Sequence, residues 1–150
     1  MENSPFSYKK PVIGYGLLNE QTTEMKHLVV ITKYKKLHKK IAMGLLSFMP
    51  SERELKTLQQ TMQTYEDHPD WQLYLGKEGA FFVGLIGIEV SEVYFVIHHV
   101  SVSPSHRGEG VGHALIDKSR QLMQPREMRA TKETEAFLAK YVKTKGENSL

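Results

Sequence analysis

The apolar positions of this chain alternate between two periods, and each switch marks an element boundary. From Val93 to Val102, seven of ten residues are aromatic, valine or isoleucine, which favours a strand. Ser103-Pro104-Ser105 then breaks the run, because proline lacks the N–H that a ladder needs. From Val111 the period becomes helical, with Val111, Ala114, Leu115, the stem of Lys118 and Leu122 on one face. Upstream, His27 to Lys33 predicts a first strand. A helix follows from about Lys35 to Phe48, with Leu37, Ile41, Leu45 and Phe48 along one side. Pro50 ends it, and Ser51-Glu52-Arg53-Glu54 has the form of a capping box that opens a second helix striped by Leu55, Leu58, Met62 and Tyr65. Trp71 to Leu75 predicts a second strand, Gly76 to Gly79 a hairpin turn, and Ala80 to Val90 a third strand. Gly84 and Gly87 within it mark a bulge or a close approach of another backbone. Beyond Pro125, Glu127 to Ala130 predicts a short fifth strand. Thr131 to about Lys143 predicts a last helix carrying Phe137, Leu138, Tyr141 and Val142. The order is β-α-α-β-β-β-α-β-α, an α/β chain with a mixed sheet and helices on both faces.

Residues 1 to 24 do not share this patterning. They hold Pro5, Pro11, Gly14 and Gly16 without a sustained period, and predict a poorly ordered extension with a short extended piece at 12–18. The folded domain is expected over 25–150, and Met25, just before the first strand pattern, is an alternative start. No apolar stretch is long enough for a signal peptide or a membrane span, so no membrane partner is expected. Composition adds two constraints. The absence of cysteine excludes disulfides, thiolate metal sites and a cysteine nucleophile, and fits a cytoplasmic setting. A net charge of +3 suits an anionic ligand, while the chain lacks the aromatic platform or recognition helix of a nucleic-acid module.

The chemistry concentrates between the long strand and its helix, at Arg107-Gly108-Glu109-Gly110-Val111-Gly112. A strand, a basic glycine loop and a helix N-terminus together bind anions. Glycine lets the backbone approach a ligand, and the first helical turn offers unpaired N–H groups at the positive end of its dipole. Spacing excludes two phosphate loops. A dinucleotide fingerprint needs a third glycine where His113 stands, directly after the strand, and a Walker loop needs Lys after Gly112.

The remaining pattern, Val100-Ser101-Val102-Ser103-Pro104 followed by Arg107, Gly110 and Gly112 in [QR]-x-x-G-x-[GA] spacing, resembles motif A of the GNAT acetyltransferases. The element order resembles that family from Met25 to about Lys143. A narrower likeness, over Lys36 to Tyr74 together with HHVSVSPSHRGEGVG, is to small GNAT-like proteins of riboflavin-biosynthesis operons in Gram-positive bacteria. The resemblance implies the acyl-CoA N-acyltransferase fold, with strands four and five splayed around the cofactor. It also implies acetyl-CoA as cosubstrate. The pantetheine arm would pair with Val100, Ser101 and Val102, and the pyrophosphate would rest on Arg107, Gly108, Glu109, Gly110, Val111, Gly112 and His113. The acceptor would be an amine, on a small molecule or a protein, and a homodimer is compatible.

Acetyl transfer to an amine needs a polarised carbonyl, a base for the ammonium proton and an acid for the departing thiolate. A strand N–H near Val100 is the expected oxyanion donor. His98 is the expected base, since strand alternation puts it on the face of Val100 and turns His99 to the other. The family's acid is a tyrosine in N-x-x-A-x-x-x-Y on the last helix. Leu138 occupies that place here, and Tyr141, almost one turn on, is the substitute. An incomplete catalytic set leaves a second reading, a weakly catalytic protein that binds acetyl-CoA or CoA in an accessory role to riboflavin metabolism. Four histidines from His98 to His113 lack the spacing and carboxylates of a metal site, so no metal is expected; His106 and His113 are expected to flank phosphate.

Overall fold

The computed structural model of the chain describes residues 28–146; the extension predicted over 1–24, with its piece at 12–18 and Met25, lies outside them. Five strands form one sheet in chain order: β1 (Val30–Lys33), β2 (Trp71–Glu78), β3 (Phe81–Val90), β4 (Tyr94–Val102) and β5 (Glu127–Ala130). The first four pair antiparallel, and β5 adds to β4 in parallel. One face is covered by α1 (Lys39–Leu46) and α2 (Leu55–Asp67), the other by α3 (Val111–Met123) and α4 (Glu135–Thr144). The observed order is the expected one, with 3₁₀ turns added at Lys36–His38, Pro50–Glu52 and Pro104–His106.

Each face buries its own apolar layer. On one side Ala42, Leu45, Leu46, Leu58, Met62 and Tyr65 meet Leu73, Leu75 and Leu85. On the other, Val111, Leu115, Ile116, Met123, Leu138, Tyr141 and Val142 meet Val83, Ile86, Ile88, Phe95 and Ile97. Such side chains each stabilise by about 1.5–3 kcal/mol when fully buried, so both layers are needed to hold the sheet.

Several local expectations are corrected. Leu37, Ile41 and Phe48 are exposed, and α1 buries Ala42, Leu45 and Leu46 instead; the 3₁₀ turn at Lys36–His38 delays the helix and changes its phase. The capping box does not form. α2 starts at Leu55 with Glu54 as an extended cap, while the Ser51 hydroxyl bonds the Glu52 carboxylate, which is drawn inward. In α3, Leu122 is half exposed, and the buried stripe runs through Gly112, Leu115, Ile116, Ser119 and Met123. Ser119 hides its hydroxyl on Leu115 O at 2.9 Å, which hydropathy cannot register. The last helix starts at Glu135, four residues later than expected. The hairpin turn is Gly79-Ala80; Gly76 lies within β2, opposite Gly84.

The pairings slip twice. Between β2 and β3 the register passes from Gly76↔Gly84 to Lys77↔Phe82, leaving Val83 extra. Between β3 and β4 it passes from Gly87↔His99 to Ile88↔Ile97, leaving His98 extra. Gly76 and Gly84 form a flat floor under Leu115, whose methyls would lie 2.7 and 2.9 Å from a Cβ at either position. Gly87 leaves room for the Tyr65 hydroxyl, which a Cβ there would strike. Gly87→Ala is therefore expected to destabilise the fold by about 1–3 kcal/mol through overpacking, read as a lower urea midpoint with an unchanged slope.

Candidate active site

The site begins where β4 loses a neighbour. β5 pairs with β4 only from Tyr94↔Glu127 to Ile97↔Ala130, and β4 continues to Val102 without it. Strands four and five are thus paired at one end and apart at the other. At the parting point, Thr134 Oγ1 donates to Ile97 O at 2.8 Å. At the far end, Arg107 Nε donates to Val102 O at 3.2 Å. Ser103 N pairs toward β3, onto Val83 O. Alternation along the strand therefore turns the N–H and C=O of Val100 and Val102 toward the side that β5 has left.

A cleft of about 620 Å³ occupies that side. One wall is β4 at Val100, Ser101 and Val102; another is the turn from Arg107 to the first residues of α3. Gly108 and Gly110 have φ of 81° and 82°, the left-handed region that glycine enters without strain. Gly110 precedes α3 with no side-chain cap, and the first helical bond is Ala114 N to Gly110 O, so the amides of Val111, Gly112 and His113 carry no intrahelical bond. His106, Arg107, His113 and Lys140 surround this end with donors. Gly112 has a second reason to be glycine, because a Cβ there would strike the Phe137 ring.

Of the expected binding residues, Val100, Ser101, Val102, Arg107, Gly108, Gly110, Val111, Gly112 and His113 line this one cleft. Glu109 is exposed beside it and does not. Nor do His98 and Tyr141. The Tyr141 hydroxyl donates to Asp117 Oδ1 at 2.5 Å and accepts from Arg120 at 3.2 Å. Burial, then the Asp117 bond, raise its pKa above the ordinary tyrosine value.

The extra residue in β4 corrects the expected placement of the histidines. Phe95 and Ile97 face α3, the bulge at His98 inverts the alternation, and His99 and Ser101 face α1 and α2. His98 and His99 consequently share a face, while Val100 packs on the other. His98 stacks on Trp71 with 4.2 Å between ring centroids, and its Nε2 meets Glu89 Oε1 at 2.9 Å. Nδ1 of His98 has no hydrogen bond among the described residues.

His99 is buried in a chain of three groups that sequence reasoning missed. Its Nε2 lies 3.2 Å from Glu52 Oε2 and its Nδ1 2.5 Å from the Tyr65 hydroxyl. A carboxylate only accepts, so Nε2 carries the proton and Nδ1 accepts from Tyr65. Burial lowers the His99 pKa from the ordinary histidine value, against the opposing pull of Glu52. Burial, with Glu52 and Glu89 adding, pushes Tyr65 well up. Glu52 Oε1 is buried without a partner. Glu133, on the far side of the split, lines the cleft and accepts from Ser51 N at 3.2 Å. Among the described residues, no three of His, Asp and Glu converge as a metal site, and no helix is long and apolar enough to cross a membrane.

The His99 environment sets a pH dependence. The folded ring binds a proton more weakly than the unfolded one, so as pH falls below about 6.5 the unfolded chain takes up the proton first. Stability present at neutral pH is then lost toward acid. Urea midpoints are expected to fall from pH 7 to 5.5, and His99→Gln, though less stable at pH 7, is expected to show a flatter profile.

The model of the acetyltransferase (GNAT) family matches residues 40–139. An uncharacterised N-acetyltransferase from the lysA 3′ region of Bacillus methanolicus is 48% identical over 112 residues, covering 74% of this chain and 93% of its own. Among solved structures, a possible acetyltransferase from Clostridium difficile 630 aligns with a TM-score of 0.64 at 14% identity, over 82% of this chain and 93% of its own. The aminoglycoside acetyltransferase AAC(6')-Iy, in complex with a CoA-S-monomethyl-acetylneamine bisubstrate analogue, aligns with a TM-score of 0.62 at 15% identity, over 81% and 92%. At these identities the structures speak for the fold.

Proposed function

The chain belongs to the GNAT family of acetyltransferases and is an acyltransferase, and on that premise we propose that it moves an acetyl group from acetyl-CoA to a primary amine in the cytoplasm. The observation that carries this reading is the single cleft joining the free edge of β4 to the glycine turn of α3. The outward C=O of Val100 and N–H of Val102 suit the amides of a pantetheine arm. The unpaired amides of Val111 to His113, with Arg107 and Lys140, suit its pyrophosphate. The thioester then lies toward Ile97, where Val100 N–H can hold the developing oxyanion. A base first takes a proton from the ammonium, the neutral nitrogen attacks the carbonyl carbon, and as the C–S bond breaks the nitrogen releases a second proton. His98, on the α2 face outside the cleft, is the proposed base acting through an intervening water, with Nε2 held by Glu89 and Nδ1 free to accept. The thiolate takes up a proton on release.

A second reading, a CoA-binding accessory protein in riboflavin metabolism, is favoured by one feature. The hydroxyl of Tyr141, the expected acid, is committed to Asp117 and Arg120 outside the cleft. Release of CoA from acetyl-CoA in the presence of a panel of amines separates the two readings.

Acetyl-CoA is expected to raise the thermal midpoint, because a ligand of the folded state stabilises it by mass action. Gly110→Glu, which forces a side chain into a left-handed position at the turn, should abolish that rise. No shift in the parent protein with either acetyl-CoA or CoA would refute the cleft assignment. His98→Ala is expected to lower amine acetylation about 10²- to 10⁴-fold, with acetyl-CoA affinity nearly unchanged. Equal turnover in the two proteins would remove His98 from the mechanism.

A further inference from the structure

The outer side of α1 takes no part in the cleft, and its charge has one sign. Between Glu24 and Glu52 the sequence holds no acidic residue, while Lys33, Lys35, Lys36, Lys39 and Lys40 fall within positions 33–40. Lys39 meets Glu66 Oε2 at 3.4 Å; the other four pair with no carboxylate among the described residues. Lys33 and Lys36 border a shallow hollow shared with Glu66 and Asp67 without bonding to either. Among these lysines stands Leu37, 80% exposed. His38 packs inward on Phe82, at 4.9 Å between ring centroids, and Ala42, Leu45 and Leu46 face the sheet. That phase leaves Leu37, Lys40 and Ile41 on the side away from the sheet, all exposed. Phe48, just past α1, is accounted for by the cleft it lines, with Arg107 over its ring at 5.5 Å. The stretch from Lys35 to Ile41 is left without an occupant.

We propose that this side of α1 is a contact surface for an anionic lipid bilayer, with Lys35, Lys36 and Lys40 on the headgroups and Leu37, then Ile41, at the acyl boundary. Charge complementarity selects an anionic occupant, and the leucine selects among anions. A side chain that projects so far has almost nothing of its own chain beside it. A folded partner would need a matching socket for it, whereas lipid closes around an isolated apolar group. Lysine suits such a surface, since its stem lies on apolar material while the ammonium stays at the headgroups. A second copy would set these lysines against themselves across a two-fold axis, and a nucleic acid would gain nothing from Leu37. The contact is peripheral and needs no spanning helix, in keeping with the absence of one among the described residues. It does not depend on acetyl transfer.

Co-sedimentation of the full 150-residue chain with two kinds of vesicle tests the contact, phosphatidylcholine alone and phosphatidylcholine with phosphatidylglycerol in equal parts. Binding is expected only to the mixed vesicles, and should be lost as salt rises from about 0.1 M to about 1 M, where screening cuts the reach of each charge. Lys36→Gln combined with Lys40→Gln should weaken it about 25-fold, about 5-fold for each lysine near the surface. Leu37→Ser should weaken it about 10-fold. Lys143→Gln, on α4 across the sheet, is the control and should bind as the parent does. All of these variants change exposed residues and should unfold at the parent's temperature, so that a loss reports the surface and not the fold. Failure to bind the mixed vesicles, equal binding to phosphatidylcholine, undiminished binding in the α1 variants or an equal loss in Lys143→Gln would overturn the assignment. Tighter binding to poly-glutamate than to the mixed vesicles, through the same lysines, would overturn it in favour of an acidic polypeptide. A parent chain that sediments as a dimer and dissociates in Leu37→Ser would overturn it in favour of a second copy.

Discussion

Every feature of the site depends on β4 being a different strand at its two ends. From Tyr94 to Ile97 it is an interior strand, paired on both edges. From His98 onward it keeps only β3, and the extra residue at that point also exchanges its faces. An interior edge left unpaired and out of water loses the net worth of each ladder bond, about 0.5–1.5 kcal/mol, so the parting needs local compensation. Thr134 supplies it at Ile97 and Arg107 at Val102. What lies between them is a strand edge that β5 leaves unpaired.

The change of faces has an electrostatic result. Because His98 and His99 turn to the α2 side, the carboxylates they meet, Glu89 and Glu52, come from β3 and from the turn before α2. The α3 side keeps Val100 and Val102 and the basic turn. One residue inserted in one strand thus puts two carboxylate-bound histidines on one face and the basic turn on the other. The Ser51–Glu133 bond then ties the turn before α2 to the loop after β5.

The sequence carried the parts of this design that are local. The strand from Val93, the break at Pro104 and the glycine turn are set by residues within a few positions of one another, and most of the residues they single out line one cleft. The fifth strand was legible for the same reason. Long-range pairing was not: nothing in HH at 98–99 announces that Gly87 opposes His99 while Ile88 opposes Ile97. The capping box was misread because Ser51 to Glu54 satisfies its pattern locally, while His99, 47 positions from Glu52, meets the Glu52 carboxylate inside the fold. The face of α1 was misread because a three-residue 3₁₀ turn changes helical phase without changing hydropathy. Glu133 and Thr134 carry no motif; only the position where β5 ends gives them meaning.

Leu115 rests on the bare backbone of Gly76 and Gly84, and it belongs to the same helix whose first turn ends the cleft. With no strand side chain beneath Leu115, α3 is seated at that point directly on the backbone of β2 and β3. The span from the Val100 edge to the amides of Val111 to His113 is then a fixed ruler rather than an adjustable gap. Its length depends on two glycines in strands that do not line the cleft. A methyl at either glycine would reset it by lifting the helix, so the reach of molecule this protein can grip is written into the thickness of its sheet.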